Sequence, residues 1–346
     1  MINIGVIGCG KISLVRHIPE YSTNPNVELV AYYDLNNERS EAFSDHYGGK
    51  SYSSWQSMLE DSSIDAVSVC TPNWTHAEIT IAALESGKHV LCEKPMAMNL
   101  AECESMVAAA ERSGKFLMIG QNQRLAKAHV RARELIERGL IGDIITFDTK
   151  FGHNGPEKWS VDPGSNTWFF DKEMAGIGAM ADLGIHKTDL IHYLTGQTIV
   201  EVTAKLDTLN KKSSDDKFIE LDDNAFCIYK LSGGALGTMH ASWTFNGQED
   251  NSTIIYGTTG IMKIYTDSDY TIEIHRSDGE KEYYVTDRIQ TNDDQTKSGI
   301  IDLFIKSIVN NEPPSISGQE VLKSMRAVFG AIESSERGCT VFLDQK

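Results

Sequence analysis

The chain has 346 residues, which at roughly 150 residues per domain predicts about two domains. Its composition, 40% hydrophobic and 23% charged, is that of a globular protein and excludes disordered, collagen-like and disulfide-scaffold classes. Lys and Arg number 32 against 49 Asp and Glu, and the resulting net charge of −17 argues against a nucleic-acid or anionic-membrane surface.

The amino terminus lacks a basic region followed by a long apolar stretch, and no apolar run approaches the roughly 18 residues of a membrane span. We therefore expect a cytoplasmic protein with no membrane contact. Six cysteines lie far apart without a CxxC pair, which favours scattered buried thiols over zinc ligands or disulfides. No metal site is expected.

The first 121 residues alternate apolar β-type runs with helical patterns, which is typical of crossover units and a parallel sheet. One helical pattern ends at Gly87, and another begins at Asn99, has Glu102 three residues on, and ends at Gly114. Right-handed crossovers then give a doubly wound Rossmann sheet of the α/β class. The predicted strands are residues 2 to 8, 27 to 34, 66 to 72, 89 to 94 and 116 to 121.

After Arg124 the pattern changes to one helix, a strand at residues 143 to 151, a glycine-rich stretch near 176 to 184, another helix and a series of β-runs. Short turns between such runs favour a mostly antiparallel sheet. Two helices, near 294 to 310 and 318 to 337, complete the pattern. The β-runs are residues 199 to 209, 224 to 231, 235 to 243, 252 to 257, 260 to 266, 270 to 275 and 281 to 286.

These two patterns predict two domains. Residues 1 to 122 form a dinucleotide-binding Rossmann domain, and residues 123 to 346 form an α+β domain that binds substrate. The cleft between the domains is the expected reaction site.

The first predicted strand is followed by Gly8, Gly10 and Ser13, at the positions where the dinucleotide fingerprint has its three small residues. Gly8 would make the tight turn, and Gly10 would let the backbone approach a pyrophosphate at a helix amino terminus. Lys11 and Ile12 follow directly and are expected to contact the cofactor. Ser13 departs from the usual Gly or Ala, and a lone Gly-x-Gly also fits an ordinary loop.

The second predicted strand ends at Asp34, 24 residues beyond Gly10, close to the separation of about 20 typical of the acid that hydrogen-bonds the ribose. A carboxylate here repels a 2′-phosphate, so NAD is favoured as the cofactor. NADP stays an alternative because Arg39 could reach a phosphate. An aspartate that only caps a turn is the simpler interpretation.

Polar residues follow three more of the predicted strands. Because the carboxyl ends of parallel strands share one edge of a sheet, these residues are expected to meet the cofactor. They are Thr71, Pro72 and Asn73; Glu93 and Lys94; and Gln121 and Asn122.

Lys94 is the leading candidate for the acid/base that hydride transfer from an alcohol requires. At the mouth of a buried sheet, beside a nicotinamide that becomes cationic on oxidation, its charged form is disfavoured by desolvation and like charge. Glu93 beside it could tune or oppose that effect. A surface lysine after a strand is the alternative for Lys94 alone.

Asp182 and His186 are four residues apart and so share one helix face. Such a pair can bind vicinal hydroxyls and relay a proton, and Asp189 could orient the imidazole ring. In isolation, a satisfied imidazole and an aspartate near a helix N-cap explain the pattern as well. The pair also looks like two metal ligands, but no third ligand follows at motif spacing.

With these residues placed, the sequence resembles the family of glucose-fructose oxidoreductase, inositol 2-dehydrogenase and rhizopine-catabolism proteins, written Gfo/Idh/MocA. The closing sequence from residue 318 resembles the family's final helix and tail, so the likeness spans almost the whole chain. The matching stretches are GVIGCGKIS at the start, CTPNWTH at 70 to 76, HVLCEKPMA at 89 to 97, GQNQRL at 120 to 125, and AGIGAMADLGIHKTDLIHYLTG at 175 to 196.

The resemblance implies an NAD- or NADP-dependent oxidoreductase acting on a secondary hydroxyl of a sugar, sugar derivative or cyclitol. It implies that Lys94 is the catalytic acid/base and that Asp182 and His186 contact substrate hydroxyls and assist proton transfer. It also implies a homodimer or homotetramer formed through an open antiparallel sheet. Further residues match positions near the cofactor or substrate, namely Asn73, His76, Asn122 and Arg124.

Two positions depart from the family pattern. Residues 176 to 178 read Gly-Ile-Gly where three glycines are usual, and Trp168-Phe169 stands where an aromatic-Arg pair is common. Both lie where substrate would bind, so no particular relative's substrate is transferred. Trp168, Phe169, Trp159 and His153 are candidate lining for a polyol, because aromatic faces pack against sugar C–H surface. Ordinary packing is the alternative.

The expected partner is therefore a small polyol or sugar. Two other functions stay open. An NAD-dependent glycosidase of the same family would oxidise its substrate transiently and then eliminate the glycoside, without net reduction of the cofactor. A non-catalytic NAD-binding sensor would need the fold without the proton chemistry.

Overall fold

The computed structural model describes residues 1 to 286 and 297 to 344. The chain packs as two compact units. The first contains Met1–Asn122, Glu173–Ala175 and residues 297 to 322, and the rest of the described chain forms the second. Residues 297 to 322 thus pack with the first unit, although the division from sequence placed them with the second.

The first unit is built on a doubly wound parallel sheet, as predicted. Its strands are β1 (Ile2–Ile7), β2 (Val27–Tyr33), β3 (Lys50–Ser51), β4 (Ala66–Val69), β5 (His89–Cys92) and β6 (Leu117–Ile119). They pair in the order β3-β2-β1-β4-β5-β6, all in parallel. The order reverses at β1, which is where such sheets bind ligands.

Helices connect these strands. Their ranges are α1 (Ile18–Ser22), α2 (Asn37–Tyr47), α3 (Trp55–Leu59), α4 (His76–Glu85) and α5 (Leu100–Ser113). The Asn99 side chain accepts a hydrogen bond from the N–H of Glu102, and Gly114 ends α5 with a φ of +65°. Both predicted boundaries of α5 are confirmed.

The second unit contains a nine-stranded sheet. Its strands are β7 (Ile144–Gly152), β8 (Ile199–Asp207), β9 (Asn224–Leu231), β10 (Leu236–Ser242), β11 (Thr253–Gly257), β12 (Gly260–Ile264), β13 (Ile272–Arg276), β14 (Lys281–Tyr284) and β15 (Val341–Phe342). The order is β14-β13-β12-β11-β7-β10-β9-β8-β15. Only the β7–β10 pair of this described sheet is parallel, so the mostly antiparallel prediction is confirmed.

The remaining helices are α6 (Lys127–Glu137), α7 (Lys172–Ala175), α8 (Ile185–Thr195), α9 (Ile300–Asn310) and α10 (Gly318–Arg337). In the second unit, α8 packs against β7, and α6 packs against α8 and β12, so helices cover one face of the sheet. Of the helix predicted near 294 to 310, residues 294 to 296 lie outside the described residues. Within the described chain, no helix is both long and apolar enough to cross a membrane.

Candidate active site

The turn after β1 is shaped for a close backbone approach. Gly8 has a φ of +95°, and a Cβ there would lie 2.6 Å from the carbonyl carbon and oxygen of Cys70, so only glycine fits between β1 and the end of β4. At Gly10, in contrast, a Cβ would meet no described atom within 4 Å. The backbone at Gly10 therefore has open space beside it for a ligand.

A helical segment begins at Lys11, directly after this turn, and is π-helical over Ser13–His17 before it continues as α1. Ser13 is fully buried, and its hydroxyl donates to the carbonyl of Gly8 at 2.5 Å. The serine that replaces the usual Gly or Ala thus ties the helix start to the glycine turn. Lys11 and Ile12 are half-buried at that start, where helix N–H groups favour anions.

Asp34 follows β2 and lies beside the glycine turn. Its Oδ2 accepts the N–H of Cys9 at 2.7 Å, and its Oδ1 accepts the N–H of Asn36 at 2.8 Å. These two bonds fix the carboxylate. Each oxygen of a carboxylate can accept a second hydrogen bond, so this geometry fits the hydroxyls of a ribose.

The turn after β4 is held by His76. Its Nε2 lies 2.9 Å from the carbonyl of Thr71 and its Nδ1 lies 2.8 Å from the carbonyl of Pro95, so the ring bridges the chain after β4 and after β5. His76 is buried, and this burial lowers its pKa. Asn73 donates to the carbonyl of Ala175 at 2.8 Å. Both side chains, which the family resemblance placed near cofactor or substrate, thus contact backbone of the first unit.

Lys94 is partly exposed, and its two neighbours Glu93 and Pro95 are buried. The N–H of Lys94 donates to Oε2 of Glu93 at 3.2 Å, and Oε1 of Glu93 contacts Nε2 of His17 at 2.9 Å and Nη1 of Arg16 at 3.2 Å. Burial opposes ionisation of Glu93, but His17 and Arg16 hold its pKa well below its usual range. Glu93 is thus an ionised group bound to protein partners.

Residues after four neighbouring strands lie in a row at one edge of the first sheet. In strand order they are Asp34, Gly8, Thr71 and Lys94. Because adjacent strands are about 4.8 Å apart, Lys94 lies about 10 Å across the sheet from the glycine turn, on the side opposite Asp34. Of the predicted residues that follow β4, β5 and β6, those that are partly exposed are Thr71, Pro72, Lys94 and Asn122.

Asp182 lies in the second unit, in a π-helical segment, Met180–Gly184, that leads into α8, and His186 lies in the first turn of α8. Oδ2 of Asp182 accepts the indole N–H of Trp243 at 2.9 Å and lies 3.9 Å from Nε2 of His153. The side chains of Asp182, His186, Trp243 and His153 are all buried. One described π-helical segment carries Asp182 and the other begins at Ser13, the third position of the fingerprint, and π-turns are frequent at functional sites.

The glycine-rich turn before α8 is held by Asp222, which sequence reasoning missed. Its Oδ1 accepts the N–H of Gly178 and its Oδ2 accepts the N–H of Met180, each at 2.8 Å. A Cβ on Gly178 would lie 1.9 Å from the carbonyl oxygen of Asp222, so a glycine is required there. Burial raises the pKa of Asp222 to about 7, although the two hydrogen bonds oppose the shift.

Arg124 forms a bidentate ion pair with Asp189. Nε and Nη2 donate to Oδ2 and Oδ1, each at 2.6 Å, and the hydroxyl of Ser324 also donates to Oδ1, at 2.9 Å. Arg124 and Asp189 are buried. Asp189, expected to orient His186, therefore accepts hydrogen bonds from Arg124 and Ser324 instead. Nε and Nη2 of Arg124 donate to this residue of α8.

Aromatic side chains extend from Trp168 to the surroundings of Asp182. Trp168 stacks on Phe169 with ring centres 3.9 Å apart and planes at 27°, and Phe169 meets Trp159 at 5.2 Å. Trp159 meets the ring of His153 at 6.4 Å. Trp168 and Phe169 are partly exposed. This cluster gives the second unit an apolar surface near its buried carboxylate.

The strand order, the glycine turn and the acid after β2 define a Rossmann-type dinucleotide-binding protein. Residues 2–121 match the model of an oxidoreductase family with an NAD-binding Rossmann fold, and residues 129–263 match the C-terminal domain of the same Gfo/Idh/MocA family. The chain therefore belongs to the Gfo/Idh/MocA family of oxidoreductases, as the resemblance implied. Its first unit is an NAD-binding domain.

Three comparisons describe its relatives. The chain is 31% identical to levoglucosan dehydrogenase of Pseudarthrobacter phenanthrenivorans, over 75% of this chain and 72% of that protein. It is 26% identical to myo-inositol 2-dehydrogenase of Thermotoga maritima, over 99% of both chains. A solved structure of levoglucosan dehydrogenase with NADH and levoglucosan matches with a TM-score of 0.85 and 25% identity, over 100% of both chains.

Proposed function

We propose that this protein transfers hydride between a secondary hydroxyl of a sugar, sugar derivative or cyclitol and NAD. The observation that carries the proposal is the partly exposed Lys94 at the carboxyl edge of the NAD-binding sheet, two strands from Gly8. The names of the relatives, a levoglucosan and a myo-inositol dehydrogenase, support a cyclic polyol as the substrate class.

The cofactor would be held by backbone and by one carboxylate. Gly8 would make the tight turn, its own N–H donating to the carbonyl of Tyr33, and Gly10, Lys11 and Ile12 would bind the pyrophosphate through N–H groups. Asp34 would accept hydrogen bonds from the ribose hydroxyls. This local binding explains how an anionic cofactor fits a chain with a net charge of −17. Bound NAD supplies the hydride acceptor. The residues that would line the rest of the cofactor site are Thr71, Pro72, Asn73, His76 and Asn122, whereas Glu93, expected there from the sequence, contacts His17 and Arg16.

The proton chemistry is assigned to three side chains. The amine of Lys94 takes the hydroxyl proton during oxidation and returns it during reduction. Asp182, oriented by Trp243, binds a neighbouring hydroxyl together with His186, and this pair assists proton transfer. Arg124 supports the pair by holding α8 through Asp189.

Trp168 is proposed to pack against the C–H face of the substrate ring, with Phe169 stacked behind it. Binding pockets for small molecules combine such apolar surface with a few placed polar groups. A ring with mostly equatorial hydroxyls has the flattest C–H face, so substrates of that shape are expected to bind best.

The test is a panel of inositols, aldoses, ketoses and amino sugars, each assayed with NAD and with NADP. We expect NADH to form with at least one cyclic polyol and NAD to be preferred. Tight NADH binding without turnover of any member would refute the proposal. Cleavage of glycosides without accumulating NADH would favour the NAD-dependent glycosidase.

A homodimer or homotetramer through the open face of the second sheet is also proposed. Four apolar side chains of β9, β10 and β11 lie on this face and are 36% to 53% exposed, and their burial would be favourable. They are Phe226, Ile228, Leu236 and Tyr256. Analytical ultracentrifugation should show an oligomer that Ile228→Asp dissociates, and a monomeric wild-type protein would refute it.

A further inference from the structure

A buried ion cluster lies beneath the turn that carries Lys94. Glu93 joins three groups there, because its Oε1 contacts His17 at 2.9 Å and Arg16 at 3.2 Å while its Oε2 accepts the N–H of Lys94 at 3.2 Å. His17 is completely buried, and Glu93 is 5% exposed. The carboxylate therefore connects the helix after the glycine turn to the proposed acid/base.

Gly120 provides the space for this carboxylate. A Cβ on Gly120 would lie 2.9 Å from Oε2 and 3.1 Å from Oε1 of Glu93. On the other side of His17, Nδ1 lies 3.0 Å from the hydroxyl of Ser68, which lies 2.8 Å from the hydroxyl of Tyr21. Ser68 and Tyr21 are fully buried, so this series of hydrogen bonds extends into the core of the first unit.

His17 and Glu93 stabilise each other's charged forms. Burial by itself lowers the pKa of His17, but the side chains of Cys70 and Glu93 raise it to about 10, which favours the charged ring beside the carboxylate. Removing the ring would leave the buried carboxylate of Glu93 with one partner fewer. The carboxylate would then shift or take up a proton, and its contact with the N–H of Lys94 would change.

We propose that His17 is a positioning residue for catalysis. By pairing with Glu93 it fixes the backbone of Lys94, and with it the direction in which the lysine amine leaves the strand end. Because His17 is fully buried, it acts through Glu93 and Lys94 rather than on substrate. This inference rests on the proposed role of Lys94.

Two substitutions at His17 distinguish the effect of losing its hydrogen bond to Glu93 from the effect of changing the side chain's volume. His17→Met removes both ring nitrogens, whereas His17→Gln keeps an N–H donor for Glu93. A small misplacement of a reacting group costs up to about 100-fold in rate, so we expect His17→Met to lower kcat at least about 10-fold. The Kd for NADH should stay within about 2-fold, because the pyrophosphate site is untouched. His17→Gln should recover most of kcat.

Gly120→Ala tests the same carboxylate without removing a charge, since its Cβ would crowd Glu93. We expect a lower kcat at unchanged Kd for NADH. Gly247→Ala is the matched control, because a Cβ there meets no described atom within 4 Å. Wild-type kcat in Gly120→Ala would contradict the inference.

The kcat of His17→Met is compared with the activity of Lys94→Met. If Lys94→Met is inactive and His17→Met keeps wild-type kcat, the positioning inference is wrong and the proposed function survives. If Lys94→Met is active, the assignment of Lys94 as the acid/base fails, and the positioning inference fails with it, whereas the proposed hydride transfer is tested by the substrate panel. Should His17→Met not fold, NMR of the wild-type enzyme with 15N-labelled histidine decides. A His17 ring that carries a proton on Nε2 at about pH 8 supports the pairing with Glu93, and an unprotonated Nε2 overturns it.

Discussion

Trp243 donates its indole N–H to Oδ2 of Asp182 at 2.9 Å, and both side chains are buried in the second unit. Trp243 directly follows β10, whose register is fixed by β7 on one side and β9 on the other. The hydrogen bond therefore ties the carboxylate proposed to bind substrate to a rigid sheet. A site built on such a support is more precise than one on a loop.

Trp243→Phe should lower activity without weakening cofactor binding. A hydrogen bond to a charged group contributes about 1.5–3 kcal/mol, which corresponds to about 10- to 100-fold in rate. We expect kcat/KM for the polyol to fall within that range at constant Kd for NADH, measured by steady-state kinetics and fluorescence titration. Trp55→Phe, on α3 of the first unit, is the control. Unchanged kinetics of Trp243→Phe would show that the indole does not orient Asp182.

Asp34 should determine the choice of cofactor. The wild-type protein should bind NADH more tightly than NADPH, because the fixed carboxylate repels a 2′-phosphate. Asp34→Ser removes that charge and the ribose acceptor, so the ratio of the two Kd values should shift toward NADPH by at least about 10-fold. Titration calorimetry measures both. A wild-type preference for NADPH would overturn the assignment of Asp34.

The ion pair of Arg124 and Asp189 should matter for stability. Removing one partner of a buried pair leaves an uncompensated charge and costs about 3–5 kcal/mol, while replacing both is often nearly neutral. We expect Arg124→Met to lower the free energy of unfolding by that amount in urea, and Arg124→Met/Asp189→Leu to recover much of it. If Arg124→Met has the same free energy of unfolding as the wild type, the ion pair of Arg124 and Asp189 does not stabilise the fold.

Lys187, on α8, should make stability depend on pH. It is fully buried, and its Nζ donates to the carbonyl of Asn251 at 2.8 Å. Burial lowers its pKa from 10.5 to about 7, despite the charges of Asp250 and Glu249. Below about pH 7 the cost of burying the charged amine is full, and between about pH 7 and 10.5 the unfolded chain binds a proton that the folded chain does not, so stability rises with pH there. The cost shrinks as the pH rises toward the unfolded pKa.

Lys187→Met removes this titration and isolates its effect. Between about pH 7 and pH 9.5, the free energy of unfolding of the wild type should rise by about 3 kcal/mol relative to the variant. Urea denaturation of both proteins at the two pH values measures this difference. An equal change in both proteins would show that Lys187 keeps an ordinary pKa in the folded state.

Local signals predicted much of the fold. Asn99 begins α5 and Gly114 ends it. Such helix ends depend on residue types within a few positions, so the local sequence predicts them. The two-residue strand Lys50–Ser51 has no apolar run, so no local pattern indicated it. The parallel pairing of β7 with β10 was also missed, because short turns indicate antiparallel neighbours and say nothing of strands far apart in the chain.

The partners of the site residues were harder to predict. Trp243 is 61 residues from Asp182, and Arg124 is 65 residues from Asp189. Periodicity places a residue on a helix face or a strand but does not report which distant side chain packs beside it. Asp189 was therefore assigned to its helix neighbour His186, whereas the structure pairs it with Arg124 and Ser324.

Lys94 carries the proton in the proposed reaction, and its replacement is the most direct test. Lys94→Met keeps most of the side chain's length and removes its base, with Lys306→Met on α9 as the control. First-turnover NADH formation from a polyol active in the panel should slow at least about 100-fold in Lys94→Met, the usual cost of losing an acid/base, while the Kd for NADH stays within about 2-fold. NADH formation at the wild-type rate in Lys94→Met would contradict the assignment.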